Sequence, residues 1–268
     1  MVSAAPSAGA LRQMDALIRA QPEAGAWLAL IAETIREAAD PCWDSAAAEV
    51  RLADATAPAP LLGGATVPLD PAVADGWLRR LLALAGEASP ATAPLGDASR
   101  NGRLDALGVL NAAINQDAPE LSVLAPAFWV DEDALAAIAH LAAMPLLHGC
   151  RRRFAAAVAP DWGEGYCPIC AGWPTLAESR GLERARRLRC ARCGGDWGTI
   201  AFRCPFCANT DHRQLGSLVP ESGGEARRVE TCDRCRGYLK SVATLRAWSA
   251  DEVALADLAT VELDLAAV

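Results

Sequence analysis

Cysteine pairs are the residues of this chain whose type and spacing could do chemistry. Eight of the ten cysteines stand in four Cys-x-x-Cys pairs: Cys167/Cys170, Cys190/Cys193, Cys204/Cys207 and Cys232/Cys235. A Cys-x-x-Cys turn directs two sulfur atoms to one side of a tight loop, and two such turns facing each other form a tetrahedral sulfur cage. Four pairs within 69 residues therefore predict two metal sites of four cysteines each.

The intervals between the pairs predict how they combine. Nineteen residues separate the first pair from the second and 24 separate the third from the fourth, whereas ten separate the second from the third. The longer intervals leave room for a hairpin, so we expect sequential pairing. Site one would hold Cys167, Cys170, Cys190 and Cys193, and site two would hold Cys204, Cys207, Cys232 and Cys235. Four sulfur ligands suit zinc or a single rubredoxin-type iron about equally well, and the residues leave both open.

The elements that must position these cysteines change in kind along the chain. Alanine and leucine dominate residues 1–160, which favours helices because unbranched side chains lose little rotamer freedom there. Apolar spacing predicts helices ending near residue 40, at 72–86, at 104–116 and once or twice within 119–158, with loops at 54–71 and 86–101. From Tyr166 the chain gains cysteine, arginine and glycine, with strand-like runs at 198–202 and 228–231 and a closing helix at 254–259.

This order of elements predicts an α+β fold. An all-helical N-terminal domain over residues 1–162 would be followed by two small rubredoxin-like, or zinc-ribbon-like, modules with four cysteines each. We place the first module at 163–200 and the second at 201–268, where the chain closes with a short C-terminal helix.

The distribution of charge limits the choice of partners. The net charge is −8, although residues 150–240 hold 16 Lys and Arg against 10 Asp and Glu. Eight thiolates on two metal ions would reduce that local excess, which leaves a weak electrostatic footprint for nucleic acid. We therefore expect no nucleic-acid partner, and a zinc-ribbon nucleic-acid binder is the less favoured alternative.

Other patterns argue against a membrane protein and against an enzyme. No apolar run reaches the roughly 18 to 20 residues that span a bilayer, and residues 1–6 lack the pattern of a signal peptide. No Ser-His-Asp set, phosphate loop or catalytic carboxylate pair is present, and Cys42 and Cys150 have no histidine in sequence context. We expect a cytoplasmic, non-enzymatic protein without membrane insertion. The alternative is an iron-dependent redox protein or electron carrier that acts through its four-cysteine sites.

Motifs around the cysteines resemble those of the formate dehydrogenase accessory protein FdhE family. They are Cys167-Pro168-Ile169-Cys170, residues 188–193, Arg203-Cys204-Pro205-Phe206-Cys207 and, most specifically, residues 230–240. The resemblance implies a cytoplasmic accessory protein with a helical domain and two rubredoxin-like modules that hold two mononuclear iron ions. Such a protein would bind the catalytic subunit of a respiratory formate dehydrogenase and assist its assembly or activation before export.

Two further expectations concern particular residues of these motifs. Tyr238, Leu239 and Lys240 follow the last cysteine pair in what reads as a short exposed turn, so we expect them to contact that catalytic subunit. Ala171 stands where the family usually has glycine, which lowers strain in such turns. We therefore expect the turn to shift by one residue, so that Gly172 takes the role of that glycine.

Overall fold

The computed structural model describes residues 8–54, 59–220 and 226–267. The chain divides into two compact units. The first comprises the residues up to Ala53 together with Gly63–Arg153, and the second comprises Asp54–Leu62 together with the chain from Phe154 onward. The cysteine pairs all belong to the second unit. The expected domain boundaries at 162/163 and 200/201 stay predictions.

Alanine- and leucine-rich segments form the helices that precede the cysteines. The described residues in this part of the chain contain nine α-helices: α1 (Ala8–Ala20), α2 (Gly25–Glu37), α3 (Pro41–Ala48), α4 (Pro71–Ala88), α5 (Ala93–Arg100), α6 (Ala106–Asn115), α7 (Ala118–Ser122), α8 (Leu124–Phe128) and α9 (Glu132–Phe154). Asp40 and Asp70 each cap a helix by accepting a hydrogen bond of 2.8 Å from the backbone amide two residues further on. The first turn of a helix tolerates the proline that follows each aspartate. These Asp-Pro pairs therefore start α3 and α4.

One segment predicted to be a loop is helical. Residues 86–101 contain the end of α4, a 3-10 turn at Pro90–Thr92 and then α5, so the loop prediction is wrong. Pro90 and Pro94 both fall in a first turn, where the missing amide N–H has no intrahelical partner to lose. Pro145, in contrast, lies inside α9 without dividing that helix.

Two buried tryptophans lie in the core of the first unit. Trp43 and Trp77 are almost completely buried, and the indole Nε1 of Trp77 donates to the carbonyl of Ala142 at 3.0 Å. Helix α9 approaches Trp43 closely, since a Cβ added at Gly149 would lie 2.5 Å from the Trp43 carbonyl oxygen. Glycine at position 149 therefore permits this packing.

Helix α9 also has the length and composition that could cross a membrane. Among the described residues, Glu132–Ala157 is the one segment that meets this test, and 72% of its apolar window is buried inside the structure. The expected absence of any apolar stretch of spanning length is therefore wrong. Its burial fits the core helix of a folded domain, whose side chains are apolar for that reason.

The second unit is built on strands that flank the cysteine pairs. In its described residues the elements are β1 (Pro174–Arg180), β2 (Ala185–Cys190), β3 (Asp196–Gly198), β4 (Leu215–Leu218), β5 (Arg227–Cys232), β6 (Tyr238–Thr244), α10 (Ala250–Leu258) and α11 (Val261–Ala267). The strand predicted at 228–231 is confirmed as β5, whereas the run at 198–202 is not a strand because β3 ends at Gly198. The predicted closing helix is a pair of helices.

The two cysteine-bearing hairpins share one sheet. Within the described residues its order is β3-β2-β1-β6-β5-β4, and β1–β2 and β4–β5 are antiparallel hairpins, as expected between paired cysteine turns. Strands β1 and β6 join the two hairpins in parallel, with Leu176 opposite Lys240 and Arg180 opposite Thr244. The α+β class with a helical N-terminal region is confirmed, and the sheet links the two cysteine modules directly.

A buried carboxylate ties β1 to its neighbours in the sheet. Glu178 is fully buried and pairs with Arg189 on β2 and with Arg180, the latter at 3.0 Å. The same carboxylate accepts hydrogen bonds from the hydroxyl of Thr244 at 3.0 Å and from the backbone amide of Trp248 at 3.3 Å. Because Arg189 is also buried, loss of the Glu178 charge would leave a guanidinium without its counter-ion in the protein interior.

Glu178→Gln should therefore lower the free energy of unfolding of the metal-loaded protein by about 3 to 5 kcal/mol. Glu183→Gln is the control, because Glu183 lies exposed in the turn between β1 and β2 and should matter by less than about 0.5 kcal/mol. Urea denaturation followed by circular dichroism measures both. Equal effects of the two substitutions would contradict the role given to the buried carboxylate.

Candidate metal centres

The residue directly after each cysteine pair has a left-handed backbone conformation. The φ angle is 60° at Ala171, 68° at Gly194, 57° at Ala208 and 62° at Arg236. Glycine adopts this conformation without steric cost, but it stands at one of these four positions. The expected shift of the first turn to Gly172 is wrong, because Ala171 itself takes up the left-handed conformation.

The same two backbone hydrogen bonds close all four turns. In the first turn the amide of Cys167 donates to the carbonyl of Gly172 at 2.8 Å, and the amide of Ala171 donates to the carbonyl of Cys167 at 3.0 Å. The equivalent bonds in the other three turns measure 2.8 to 3.0 Å. The four turns therefore share one geometry although their sequences differ.

The eight sulfur atoms form two clusters with the predicted membership. Site one contains Cys167, Cys170, Cys190 and Cys193, and site two contains Cys204, Cys207, Cys232 and Cys235. Within each site the Sγ atoms all lie within 4.8 Å of one another. Two Sγ–Sγ pairs measure 3.5 Å in site one and two measure 3.7 Å in site two. The described residues hold no third group of three or more His, Cys, Asp or Glu side chains so arranged.

These separations fit a bound metal ion and exclude disulfides in this arrangement. A disulfide holds its two sulfur atoms about 2.05 Å apart. A tetrahedral ion with metal–sulfur bonds of about 2.3 Å places its sulfur ligands about 3.8 Å from one another. The separations of 3.5 and 3.7 Å lie close to this second value, so each cluster could hold one tetrahedral metal ion.

The electrostatics of site one favour a cation there. All four thiols are buried, and hydrogen bonds from the neighbouring thiols hold the pKa of Cys170 well below its ordinary value. Hydrogen bonds with Cys167 and Cys170, together with burial, raise the pKa values of Cys190 and Cys193 well above the ordinary thiol value. Four thiolates can share this buried space when a cation offsets their charge.

Site two is more open and contains a further hydrogen-bond donor. Cys235 is exposed and Cys207 is half-buried. Burial raises the pKa of Cys204 to about 12. Burial acts in the same direction on Cys232, but hydrogen bonds from the backbone amide of Cys235 and the side-chain amide of Asn209 outweigh it and lower the pKa of Cys232 to about 6. Site two therefore stabilises a thiolate at Cys232 near neutral pH.

Asn209 occupies a position that is glycine in the other three turns. An added Cβ at Gly172, Gly195 or Gly237 would lie 3.0, 3.1 or 3.3 Å from a cysteine sulfur. The side-chain amide of Asn209 instead points at Cys232 Sγ, 3.7 Å away. No motif marks Asn209 in the sequence, although aligning the four turns with one another reveals it. A donor beside a metal ligand orients that ligand and tunes its basicity.

A segment far away in the sequence covers the first turn. The amides of Leu61 and Leu62 donate to the carbonyls of Pro168 and Ile169 at 2.8 and 2.9 Å. These bonds satisfy backbone carbonyls beside site one that would otherwise be buried without a partner. No pattern in the sequence predicts this contact, because the residues around Leu61 and Leu62 contain no motif that indicates pairing with Pro168 and Ile169.

The three residues predicted to contact a partner do not lie in an exposed turn. Tyr238, Leu239 and Lys240 begin strand β6, and Leu239 and Lys240 are buried. Nζ of Lys240 lies 2.6 Å from Asp257 and 2.8 Å from Asp264. The hydroxyl of Tyr238 also donates to Asp264, at 3.1 Å. The exposed-turn interpretation is wrong because Tyr238 and Lys240 anchor α10 and α11 to the sheet and Leu239 is buried. The contact of the three residues with a partner stays a prediction.

Comparisons with known sequences relate this site to known proteins. Residues 202–267 match the family described as FdhE, C-terminal domain. The chain is 32% identical over 107 residues to a Protein FdhE homolog of Aquifex aeolicus and 35% identical over 103 residues to one of Stutzerimonas stutzeri. These matches cover 39% and 37% of this chain but 37% and 32% of the relatives. The chain thus spans about a third of the length of the curated relatives it matches.

The fold is similar to a solved structure over nearly the whole chain. The crystal structure of the FdhE protein from Pseudomonas aeruginosa matches with a TM-score of 0.60 and 22% sequence identity, covering 98% of this chain and 92% of that chain. The fold and the metal centres together define a class of protein with a helical unit followed by a unit that carries two four-cysteine sites on one sheet. The sequence comparisons confirm the resemblance to the FdhE family that the cysteine motifs indicate, and the fold is similar to that of a solved FdhE protein.

Protein purified without oxygen should contain about two equivalents of metal, one for each tetrahedral cluster. Cys167→Ser and Cys232→Ser should each remove about one equivalent, because three thiolates do not close the sulfur cage. Cys42→Ser, outside both clusters, is the matched control and should retain both ions. Elemental analysis by mass spectrometry measures the content. Full occupancy in both cluster variants would contradict the assignment.

The left-handed residues give a second prediction. Ala208→Gly should raise the free energy of unfolding by about 1 kcal/mol, because a side chain at this φ carries a steric cost that glycine lacks. Gly194→Ala, at the equivalent position of the second turn, should lower it by a similar amount. Urea denaturation of the metal-loaded protein compares the two. A shift in the same direction for both variants would show that the turns are not equivalent.

Proposed function

We propose that this chain is a non-catalytic accessory protein that binds the catalytic subunit of a respiratory formate dehydrogenase. In this proposal it acts in the cytoplasm and assists the assembly or activation of that subunit before export. The observation that carries the proposal is the pair of equivalent four-cysteine clusters, one of which lies in a match to the FdhE C-terminal domain. The FdhE relatives support a formate dehydrogenase accessory protein.

The form of the clusters supports action by binding and not by catalysis. A tetrahedral ion held by four thiolates has no open coordination position for a substrate. All four cysteines of site one are buried, so a substrate has no approach to its sulfur atoms. Site two exposes Cys235, but its four sulfur atoms complete the same closed set. Both sites therefore suit a protein in which the metal ions stabilise the conformation of a binding surface.

Iron is the metal we propose for both clusters, with zinc as the alternative. The donor set of four thiolates fits either ion. Iron bound there would supply one-electron chemistry, whereas zinc would supply stability alone. Either ion would contribute directly to folding, since the ligands come from hairpins that a metal ion holds together.

A chain of aromatic rings favours a second candidate function, that of an iron-dependent electron carrier. Tyr166 precedes the first cysteine of site one, and its ring lies 6.0 Å from that of Trp173. Trp173 in turn lies 5.7 Å from Phe206, which stands inside the third cysteine turn. This candidate predicts visible absorption that bleaches on reduction. Colourless protein with two zinc ions after growth in added iron would contradict it.

The accessory role predicts a stable complex. Affinity-tagged chain, purified with its metal from cells that also produce the formate dehydrogenase catalytic subunit, should retain that subunit. Cys204→Ser should lose most of it, because the second hairpin depends on its metal to fold. Cys42→Ser is the control and should retain the subunit as the unchanged chain does. Absence of the subunit from the eluate of the unchanged chain would contradict the proposal.

A further inference from the structure

A cavity of about 330 Å³ lies beside site two on the sheet. Leu239 and Ser241 line it, and along β6 they alternate with Lys240 and Val242, which face α10 and α11. Since successive side chains of a strand point to opposite faces, the cavity lies on the face of the sheet away from those helices. Neither the metal sites nor the packing of the C-terminal helices explains this cavity.

Arginine dominates the charge of the cavity. Four arginines line it together with a single carboxylate, Glu230; they are Arg184, Arg186, Arg203 and Arg228. Glu230 pairs with Arg186 at 2.5 Å. In the described part of the chain, no ion pair involves the other three arginines. The thiolates of the adjoining site two offset part of this charge, and the cavity still carries an excess of positive charge that a bound anion would offset.

Arg186 is fixed in the wall of this cavity by its contacts with the protein. Its side chain is 10% exposed, and Nη1 lies 3.4 Å from the carbonyls of Ile200 and Arg203. Nε of Arg186 is buried and has no hydrogen-bond partner. Buried N–H groups are nearly always paired, and an unpaired one destabilises the fold. Because this nitrogen has no surface open to the cavity, an anion there would meet the three lining arginines that no ion pair of the described residues engages.

The position of the cavity at a sheet edge indicates what kind of anion would enter. Strand β4 lies at one end of the described sheet, and Leu215 and Ser217 of that strand line the cavity. Apolar residues line it as well, among them Leu215, Leu239 and Phe202, whose side chain is 78% accessible to solvent. Extended peptides bind such edges through main-chain hydrogen bonds, and pockets for alternate side chains give specificity.

We propose that this cavity binds an extended peptide segment in which apolar and acidic residues alternate. The segment pairs with the outer edge of β4, and one of its carboxylates meets Arg228 on the neighbouring strand β5. The source of the segment rests on the proposed function, since it would belong to the formate dehydrogenase catalytic subunit. The chemistry of recognition follows from the arginines and the apolar lining alone.

Fluorescence anisotropy with the full metal-loaded chain tests the recognition. The probe is a fluorescein-labelled octapeptide of alternating Val and Asp, compared with its Val and Asn counterpart. Arg228→Gln should weaken binding of the acidic probe about tenfold, because it removes a charge-assisted hydrogen bond. Arg227→Gln removes the same charge from the neighbouring residue, whose side chain points to the other face of β5, and should leave binding unchanged.

Three results of this experiment would overturn the inference. The Val–Asn probe could bind as tightly as the Val–Asp probe, which would exclude recognition of a carboxylate. Arg227→Gln could weaken binding as much as Arg228→Gln, which would show that the net charge of the surface, and not the cavity, attracts the probe. A single-stranded oligonucleotide could bind more tightly than the acidic probe, with the same loss in Arg228→Gln, which would assign the cavity to a nucleic acid.

Capture of the catalytic subunit separates this inference from the proposed function. If the unchanged chain captures the subunit and Arg228→Gln captures as much, the proposed function stands and the cavity is not its recognition site. If the unchanged chain captures none, the proposed function fails, and the anisotropy result alone decides whether the cavity takes acidic peptides. Capture that falls in Arg228→Gln but not in Arg227→Gln supports both.

Discussion

The cysteine-bearing unit depends on one constraint: at each of its two sites, four sulfur atoms lie within 4.8 Å of one another. Thiolates at that separation repel each other, and a metal cation reverses the sign of the interaction. Leu176 and Val242 of the sheet are buried together with Val253 of α10 in one apolar cluster. Small folds with little core commonly rely on such a metal for stability. The two sites therefore hold the hairpins in the shape from which any binding surface is built.

The constraint extends to the backbone around each site. Ala171, Ala208 and Arg236 stay in the left-handed region although each has a side chain. Strain of this kind persists where the surroundings over-determine the conformation. Here two hydrogen bonds close every turn and two of its sulfur atoms join a cluster. Position within the turn, and not the identity of the residue, sets the conformation.

Local spacing was enough to predict the members of both clusters, because each site combines neighbouring pairs joined by a hairpin. Contacts between distant residues were not predictable in this way. The parallel pairing of β1 with β6 and the bonds from Leu61 and Leu62 have no local signature. The burial of Lys240 was missed because the chain turns into a strand directly after Cys235, where the motif read as exposed. The loop prediction at 86–101 failed because Pro90 and Pro94 start helices.

X-ray absorption at the metal edge tests the central claim most directly, since it counts the atoms bound to the metal in protein purified without oxygen. The account predicts about four sulfur ligands per metal ion at about 2.3 Å, with no nitrogen or oxygen ligand. Loss of that sulfur shell in a chain that lacks the cysteines of both sites would assign it to the clusters described here. A shell with nitrogen or oxygen ligands, or a folded protein without metal, would contradict the account.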